Sequence, residues 1–178
     1  MKLTLIRHTA VDVPSGTCYG QTDVPLKETF PEEAQAVLEN LPKVHFDAAF
    51  TSPLSRASKL AAYCGFPDAK PDARLMEMNF GEWEMKCFDQ ITDPKIQEWY
   101  MDYINKPATG GESFMDVYGR ISSFIEEMRS SGYQNVIAFA HGGILMCAMI
   151  YAGMATPQTI FSMQPPYGGM ICIDLPTD

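Results

Sequence analysis

Short apolar runs alternate with amphipathic segments along the whole chain. The first run covers residues 2–10 and stays apolar and β-branched until it reaches Arg7 and His8. Its composition and length suit a strand buried on both faces of a parallel sheet. Further runs predicted as strands are 46–51, 135–140 and 169–175, with a short one at 71–73.

Two amphipathic helices are predicted between the early strands. Pro31 and the glutamates after it suit a first helical turn, and Pro42 ends that helix. Ser52 and Pro53 are predicted as the N-cap and first residue of the next helix. Arg56 then lies in its first turn, directly above the carboxyl end of a strand.

Two further helices are predicted in the second half of the chain. Ser113 and Asp116 have the spacing of a capping box, and apolar residues follow at helical spacing until Gly132. The segment after His141 is apolar on all sides, and its length favours a buried helix over a strand.

Two irregular or inserted segments interrupt this alternation. Residues 9–26 are rich in Gly, Pro, Ser and Thr and predict a loop over the end of the first strand. Residues 86–106 are rich in aromatic and acidic side chains and predict a helical insert broken near Pro94. Its pattern fits a satellite core cluster, and a covering lid is the functional alternative.

The order of these elements predicts an α/β fold, a three-layer sandwich with a mostly parallel central sheet and helices on both faces. We expect one domain over residues 1–178, with the insert at about 86–106. If the main strands are parallel, His8, Arg56, Glu77 and His141 converge on one carboxyl edge of the sheet, where ligands bind in such folds.

Composition limits the partners and the compartment. The formal charge of −9 argues against nucleic acid or an anionic membrane as a partner. Five cysteines without a CxxC pair favour neither a disulfide framework nor a zinc site. Because no signal-peptide pattern follows Met1, we expect a cytoplasmic protein. With only three histidines in the chain, we also expect no metal, and we expect no cofactor. The sequence leaves the oligomeric state open.

The residues expected at the sheet edge suit a phosphoryl group. Arg7 and Arg56 offer planar, bidentate donors to phosphate oxygens. His8 and His141 offer imidazoles, which are nucleophilic at neutral pH, and a protonated Glu77 could donate to a leaving oxygen. The chain has no GxxxxGK(S/T) loop, GxSxG elbow or HExxH helix that would point to other chemistry.

Four motifs in this order resemble the histidine phosphatase (phosphoglycerate mutase-like) superfamily. They are RH at residues 7–8, SPLSRA around Arg56, LMEMNFGEWE around Glu77 and AHGG at His141. The resemblance implies that His8 is the phosphorylated nucleophile and Glu77 the proton donor. It also implies that Arg7, Arg56 and His141 hold the phosphate.

Within the superfamily, the first loop, the FGEWEM stretch and the GGESFMDVYGRISSFI stretch resemble the α-ribazole phosphatase branch. This likeness implies a small-molecule phosphate ester as substrate. Contacts to the phosphate or the leaving group are expected at Tyr19, Gly20 and Gln21, with Gly142 as a further substrate-binding residue.

Three readings of the function therefore stay open. The first is a phosphomonoesterase that dephosphorylates α-ribazole 5′-phosphate in cobalamin biosynthesis. The second is a broad small-molecule phosphatase or a phosphoglycerate mutase. The third is an inactive module that binds phosphorylated ligands, which would not need a proton donor such as Glu77.

Overall fold

A five-stranded sheet forms the centre of the computed structural model, in which residues 1–176 are described. The strand order is β3-β2-β4-β1-β5, and all neighbours pair in parallel except β5, which runs antiparallel to β1. The mostly parallel sheet is therefore confirmed. The strands are β1 (Lys2–Arg7), β2 (Ala48–Thr51), β3 (Lys70–Pro71), β4 (Asn135–Ala140) and β5 (Met170–Asp174).

Helices cover both faces of the sheet, as expected for the three-layer fold. Alternate residues of β1 point to opposite layers: Leu3 and Leu5 join the core under α4 and α5, whereas Ile6 joins the core under α1 and α2. Both sheet faces are thus buried, which accounts for the nearly continuous apolar strands. The helices are α1 (Phe30–Asn40), α2 (Ser55–Tyr63), α3 (Lys95–Met101), α4 (Phe114–Ser130) and α5 (Gly142–Tyr151).

The capping box predicted for α4 is present. The Ser113 hydroxyl accepts a hydrogen bond from the backbone N–H of Asp116, and the Asp116 carboxylate accepts one from the N–H of Ser113. At the other end, Gly132 follows the helix with φ of +82°, a conformation that favours glycine. Both ends of this helix are therefore set by residues that lie next to them in the chain.

Several predicted boundaries are wrong. The strand predicted at 46–51 begins at Ala48, and the one predicted at 169–175 is Met170–Asp174. The helix predicted to begin at Pro53, after an N-cap at Ser52, begins two residues later, at Ser55, because the Ser52 hydroxyl accepts from Leu54 N–H in a turn before the helix. The short strand predicted at 71–73 is Lys70–Pro71, because the Asp72 carboxylate caps a 3₁₀ turn over residues 73–75.

The predicted insert is only partly helical. A 3₁₀ turn covers Phe88–Gln90, and α3 begins after Pro94, where the break was expected. Ile91, Ile96 and Trp83 are buried in a separate small core, which confirms a satellite cluster. In residues 1–176, no helix is both long and apolar enough to cross a membrane.

Candidate active site

The register of the sheet places the ends of three strands side by side. Arg7 in β1 pairs with Ala140 in β4, and Thr51 in β2 pairs with Phe139. The residues that follow these strands are His8, His141 and Ser52, so all three lie at the same carboxyl edge. Each is buried.

His8 is held as a neutral imidazole with one free nitrogen. Its Nδ1 lies 2.7 Å from the carbonyl oxygen of Thr9, which can only accept, so Nδ1 carries the hydrogen and Nε2 carries the lone pair. Burial, followed by the positive charge of Arg56, lowers the pKa of His8 from 6.5 to about 3, and Arg7 adds to this shift. At neutral pH, the Nε2 lone pair is available as a nucleophile.

His141 lies beside His8, with the ring centroids 5.2 Å apart. Its Nε2 is 2.8 Å from the hydroxyl oxygen of Ser52, which also accepts the N–H of Leu54. Burial first, and then the charge of Arg56, lower the pKa of His141 well below its usual value. A neutral His141 can still donate a hydrogen bond from Nδ1 when the Ser52 hydroxyl donates to Nε2.

Both arginines are held by carbonyl oxygens. The Arg7 Nη1 donates to the carbonyl of Pro165 at 2.6 Å. The Arg56 Nη1 and Nη2 donate to the carbonyls of Thr22 and Gly20, at 3.0 and 2.5 Å. Carbonyl oxygens orient a guanidinium group without neutralising it, so both cations remain available to an anion.

Three buried nitrogen atoms around His8 have no hydrogen-bond partner among the described residues. They are Nε of Arg7, Nε of Arg56 and Nδ1 of His141. Leaving a buried donor unpaired costs about 1–3 kcal/mol, so three such atoms in one site suit the binding of a group with several acceptor atoms. Two fixed cations and an imidazole suit a phosphoryl group, whose oxygens accept several hydrogen bonds at once.

The Glu77 carboxyl lies on the wall of the cavity beside this group. Its Oε1 accepts from the N–H of Met78 at 3.0 Å, and its Oε2 accepts from the N–H of Gly143 at 3.2 Å. A Cβ atom at position 143 would overlap the Glu77 carboxyl and displace it from this place. The second glycine of the AHGG motif therefore makes room for Glu77.

Glu84 organises the loop that holds Arg56. Its carboxylate accepts from the backbone N–H groups of Gly20 and Gln21, at 3.0 and 2.9 Å, and from the Thr22 hydroxyl at 2.8 Å. Burial raises the pKa of this carboxyl, but the hydrogen bonds outweigh burial and hold the pKa below its usual value. Glu84 stays ionised and fixes the two carbonyls that Arg56 contacts.

Two tyrosines close the site from the first and last loops. The hydroxyls of Tyr19 and Tyr167 are 2.9 Å apart. The Tyr167 ring lies 4.2 Å from the guanidinium carbon of Arg7, and the Tyr19 ring lies 5.4 Å from that of Arg56. Each ring face stabilises one of the two cations.

A cavity of about 530 Å³ opens from His8 towards the insert. Its walls are mostly aromatic and aliphatic, which is the usual character of a small-molecule site. Apart from Arg7, His8 and Glu77, none of the described residues that line it is ionisable at neutral pH. The remaining lining residues are Thr17, Tyr19, Met78, Phe80, Phe88, Trp99, Tyr103, Phe114, Val117, Gly143, Met146, Phe161 and Gln164.

Comparison with known proteins agrees with this geometry. The family model described as the histidine phosphatase superfamily (branch 1) matches residues 3–178, nearly the whole chain. The chain belongs to the histidine phosphatase superfamily. The resemblance found in the four sequence motifs is therefore confirmed.

The proteins similar to this chain are named after different substrates. Phosphoserine phosphatase 1 of Hydrogenobacter thermophilus is 28% identical over 161 residues, covering 85% of this chain and 75% of that protein. The adenosylcobalamin/α-ribazole phosphatase of Salmonella typhimurium is 29% identical over 153 residues, covering 82% and 76%. The crystal structure of the α-ribazole phosphatase from Shigella flexneri has a TM-score of 0.87 at 27% identity, covering 99% of this chain and 91% of that one.

The fold brings all five residues predicted as catalytic to one site. The residues predicted to bind substrate surround it in different ways. Tyr19 lines the cavity, and the Gly20 carbonyl contacts Arg56. The Gln21 amide donates to the backbone carbonyl of Glu77 at 3.2 Å. A Cβ atom at Gly142 would lie only 3.2 Å from Nε of Arg7, so this glycine lets the chain pass close to the guanidinium.

Sequence reasoning missed several residues of this superfamily site. The sequence predicts Ser52 only as a helix cap and shows Glu84 only as part of a motif. Tyr167 and Phe161 lie in a segment without helical or strand periodicity, so no pattern pointed to them. The FGEWE stretch is the one available signal for Glu84, because it places two further glutamates, Glu82 and Glu84, close to Glu77 in the chain.

The lowered pKa of His8 predicts a pH-dependent stability. The unfolded chain binds a proton near pH 6.5, whereas folded His8 binds one only near pH 3, so the free energy of unfolding falls as the pH is lowered through this window. The His8 contribution to the slope approaches about 1.4 kcal/mol per pH unit below pH 6.

Urea unfolding of the wild type and His8→Gln between pH 7 and pH 5 measures this contribution. We expect the variant to lose less stability over the range than the wild type. His45, which is exposed, is present in both proteins and cancels in the comparison. Parallel pH profiles for the two proteins would contradict a buried, neutral His8.

Proposed function

We propose that this chain is a phosphomonoesterase that works through a phosphohistidine at His8 and acts on α-ribazole 5′-phosphate. The observation that carries the reaction is the set of three unpaired buried nitrogens around a neutral His8. Membership of the histidine phosphatase superfamily supports phosphatase activity. The aromatic walls of the adjoining cavity support the substrate.

The first half-reaction transfers the phosphoryl group. The Nε2 lone pair of His8 attacks phosphorus, and the bond from phosphorus to the ester oxygen breaks. Arg7 and Arg56 stabilise the charge on the phosphoryl oxygens, and His141 donates to one of them. Glu77 gives its proton to the departing oxygen, so the products are an alcohol and a phosphohistidine.

The second half-reaction regenerates the enzyme. Water attacks the phosphohistidine while the Glu77 carboxylate takes a proton from it. The bond between phosphorus and Nε2 breaks, and the nitrogen regains its lone pair. Inorganic phosphate leaves, and Glu77 is again protonated for the next cycle.

The cavity walls favour a leaving group with an uncharged aromatic ring. Phe88, Trp99, Tyr103 and Phe161 provide four aromatic rings, and the described lining residues offer no further cation or carboxylate. Phosphoserine would bring an ammonium and a carboxylate, and phosphoglycerate a carboxylate, into walls without a partner for either. The benzimidazole of α-ribazole carries no such charge and can stack on these rings.

The covalent intermediate is the first testable element of this proposal. Rapid quenching of the enzyme with a radiolabelled phosphate ester should trap label on the protein that is lost in acid and kept in base, as expected for a phosphoramidate. His8→Ala should show no trapped label and should lose turnover, while its circular dichroism spectrum stays that of the wild type. Label on a serine or cysteine would refute the assignment.

The role of Glu77 as proton donor is tested by comparing substrates whose leaving groups differ in their need for a proton. Glu77→Gln keeps the size of the side chain but removes the acid, so kcat/KM on an alkyl phosphate should fall at least about a hundredfold. The ratio kcat/KM is the quantity to compare, because it reports the first half-reaction and leaves out the hydrolysis step that all substrates share. The same variant should lose far less on p-nitrophenyl phosphate, whose leaving group departs without a proton. Equal losses on both substrates would assign Glu77 to binding or folding.

Substrate preference follows from the uncharged walls. We expect kcat/KM for α-ribazole 5′-phosphate to exceed that for phosphoserine by about a hundredfold or more, since each unpaired charge costs about 1–3 kcal/mol. Phe161→Leu should raise KM for α-ribazole 5′-phosphate about tenfold through lost stacking and change glycerol phosphate hydrolysis little.

Tyr63→Leu is the matched control for Phe161→Leu. It removes another part-exposed aromatic ring that packs on Phe30, away from the cavity lining. The control should leave both substrates unaffected. A preference for phosphoserine would overturn the assigned substrate but leave the phosphohistidine reaction intact.

A further inference from the structure

Arg120, in the middle of α4, uses all five of its N–H groups on one short stretch of chain and one carboxylate. Its Nη1 donates to the carbonyls of Arg74 and Met76, at 2.8 and 2.5 Å, and its Nη2 donates to the carbonyl of Glu77 at 3.0 Å. Its Nε and Nη2 also donate to the two carboxylate oxygens of Glu112, at 2.8 and 3.0 Å. A guanidinium group has five such donors, so none is left over.

Glu112 holds the same stretch from its other end. Its Oε2 accepts from the backbone N–H of Asn79 at 2.8 Å, and its own N–H donates to the carbonyl of Asn79 at 2.8 Å. The ion pair of Arg120 and Glu112 therefore contacts backbone groups on both sides of Glu77. The Arg120 side chain is 17% exposed and that of Glu112 22%, so solvent screens the pair only partly.

The stretch that carries Glu77 has no regular structure to fix it. Residues 76–80 belong to no helix or strand. A carboxyl group on such a stretch can shift unless other residues hold its backbone, and a misplacement of about 1 Å can cost a hundredfold in rate. The bonds to Arg120 and Glu112 supply that support.

We propose that Arg120 and Glu112 are positioning residues that set the place of the Glu77 carboxyl relative to the leaving oxygen. This inference rests on the proposed function, in which Glu77 is the proton donor. Neither side chain lines the cavity. They act through the backbone of Glu77, so their loss should weaken proton donation while the phosphate site of Arg7, Arg56 and His141 persists.

A purely structural role would have a different signature. A loss of general stability would lower the active fraction and would reduce the rate on every substrate by the same factor. A displaced proton donor reduces kcat/KM, which reports the first half-reaction, only where the leaving group needs a proton. The ratio of the rates on an alkyl phosphate and on p-nitrophenyl phosphate therefore separates the two roles.

The test compares Arg120→Lys and Glu112→Gln with the wild type on these two substrates. Lysine keeps the charge but lacks the planar fork, and glutamine keeps the shape but weakens the pair. We expect kcat/KM on the alkyl phosphate to fall about tenfold or more in each variant. On p-nitrophenyl phosphate the fall in kcat/KM should stay within about threefold. If one of the two variants does not fold, the other variant alone tests the positioning role.

Arg74→Lys is the matched control. The Arg74 guanidinium lies 2.6 Å from Asp72 and 2.8 Å from Glu127, and its side chain makes no contact with Glu77. It is a nearby, paired arginine on the same stretch of chain. We expect its substitution to leave the ratio of the two rates at the wild-type value.

A double variant shows whether Arg120 acts through Glu77. If it does, Arg120→Lys should cause no further loss in a Glu77→Gln background, because the positioned group is already gone. Additive losses, or equal losses on the two substrates, would overturn the positioning role. If Glu77→Gln alone shows no dependence on the leaving group, the proposed proton donor fails, and this inference fails with it.

Discussion

The site depends on keeping two guanidinium groups charged, that of buried Arg56 and that of half-buried Arg7, without giving them a carboxylate partner. Among residues 1–176, the ion pairs involve neither Arg7 nor Arg56. Backbone carbonyls from three separate loop positions hold these cations instead. A paired carboxylate would have occupied the fork that a phosphate needs, so carbonyl oxygens are the partners that preserve binding.

Burial and the same two cations set the protonation state of His8, the proposed nucleophile. A protonated His8 would be a third positive charge in a buried site, and both burial and the arginines act against it. The neutral ring then needs the correct tautomer, which the Thr9 carbonyl selects by accepting from Nδ1. Anion binding and nucleophilicity therefore have a common electrostatic origin, and Glu84 supports both by fixing the loop that holds Arg56.

The parts of this site that the sequence predicted depend on local signals. His8 and His141 lie at the ends of strands, and Arg56 lies at the start of a helix. The periodicity of the buried strands and helices was therefore enough to predict that these three residues lie close together. Ser52 shows where local signals stop. Serine before proline is a common cap, but its hydroxyl contacts His141, 89 positions away in the chain. Arg120 and Tyr167 likewise act through partners that only the folded chain brings near.

Strand ends and loops supply different parts of the site. Arg7, His8 and His141, which we propose to hold or receive the phosphate, lie at the ends of parallel strands, where the sheet register fixes them within one rigid frame. The walls of the cavity come largely from the insert, the first loop and residues 161–164, which pack in small clusters outside the sheet. Loops of this kind change readily while a scaffold stays constant. Relatives with phosphoserine and α-ribazole in their names, each about 28–29% identical to this chain, are therefore compatible with the proposed division, in which the strand ends hold the phosphoryl group and the walls of the cavity select the alcohol.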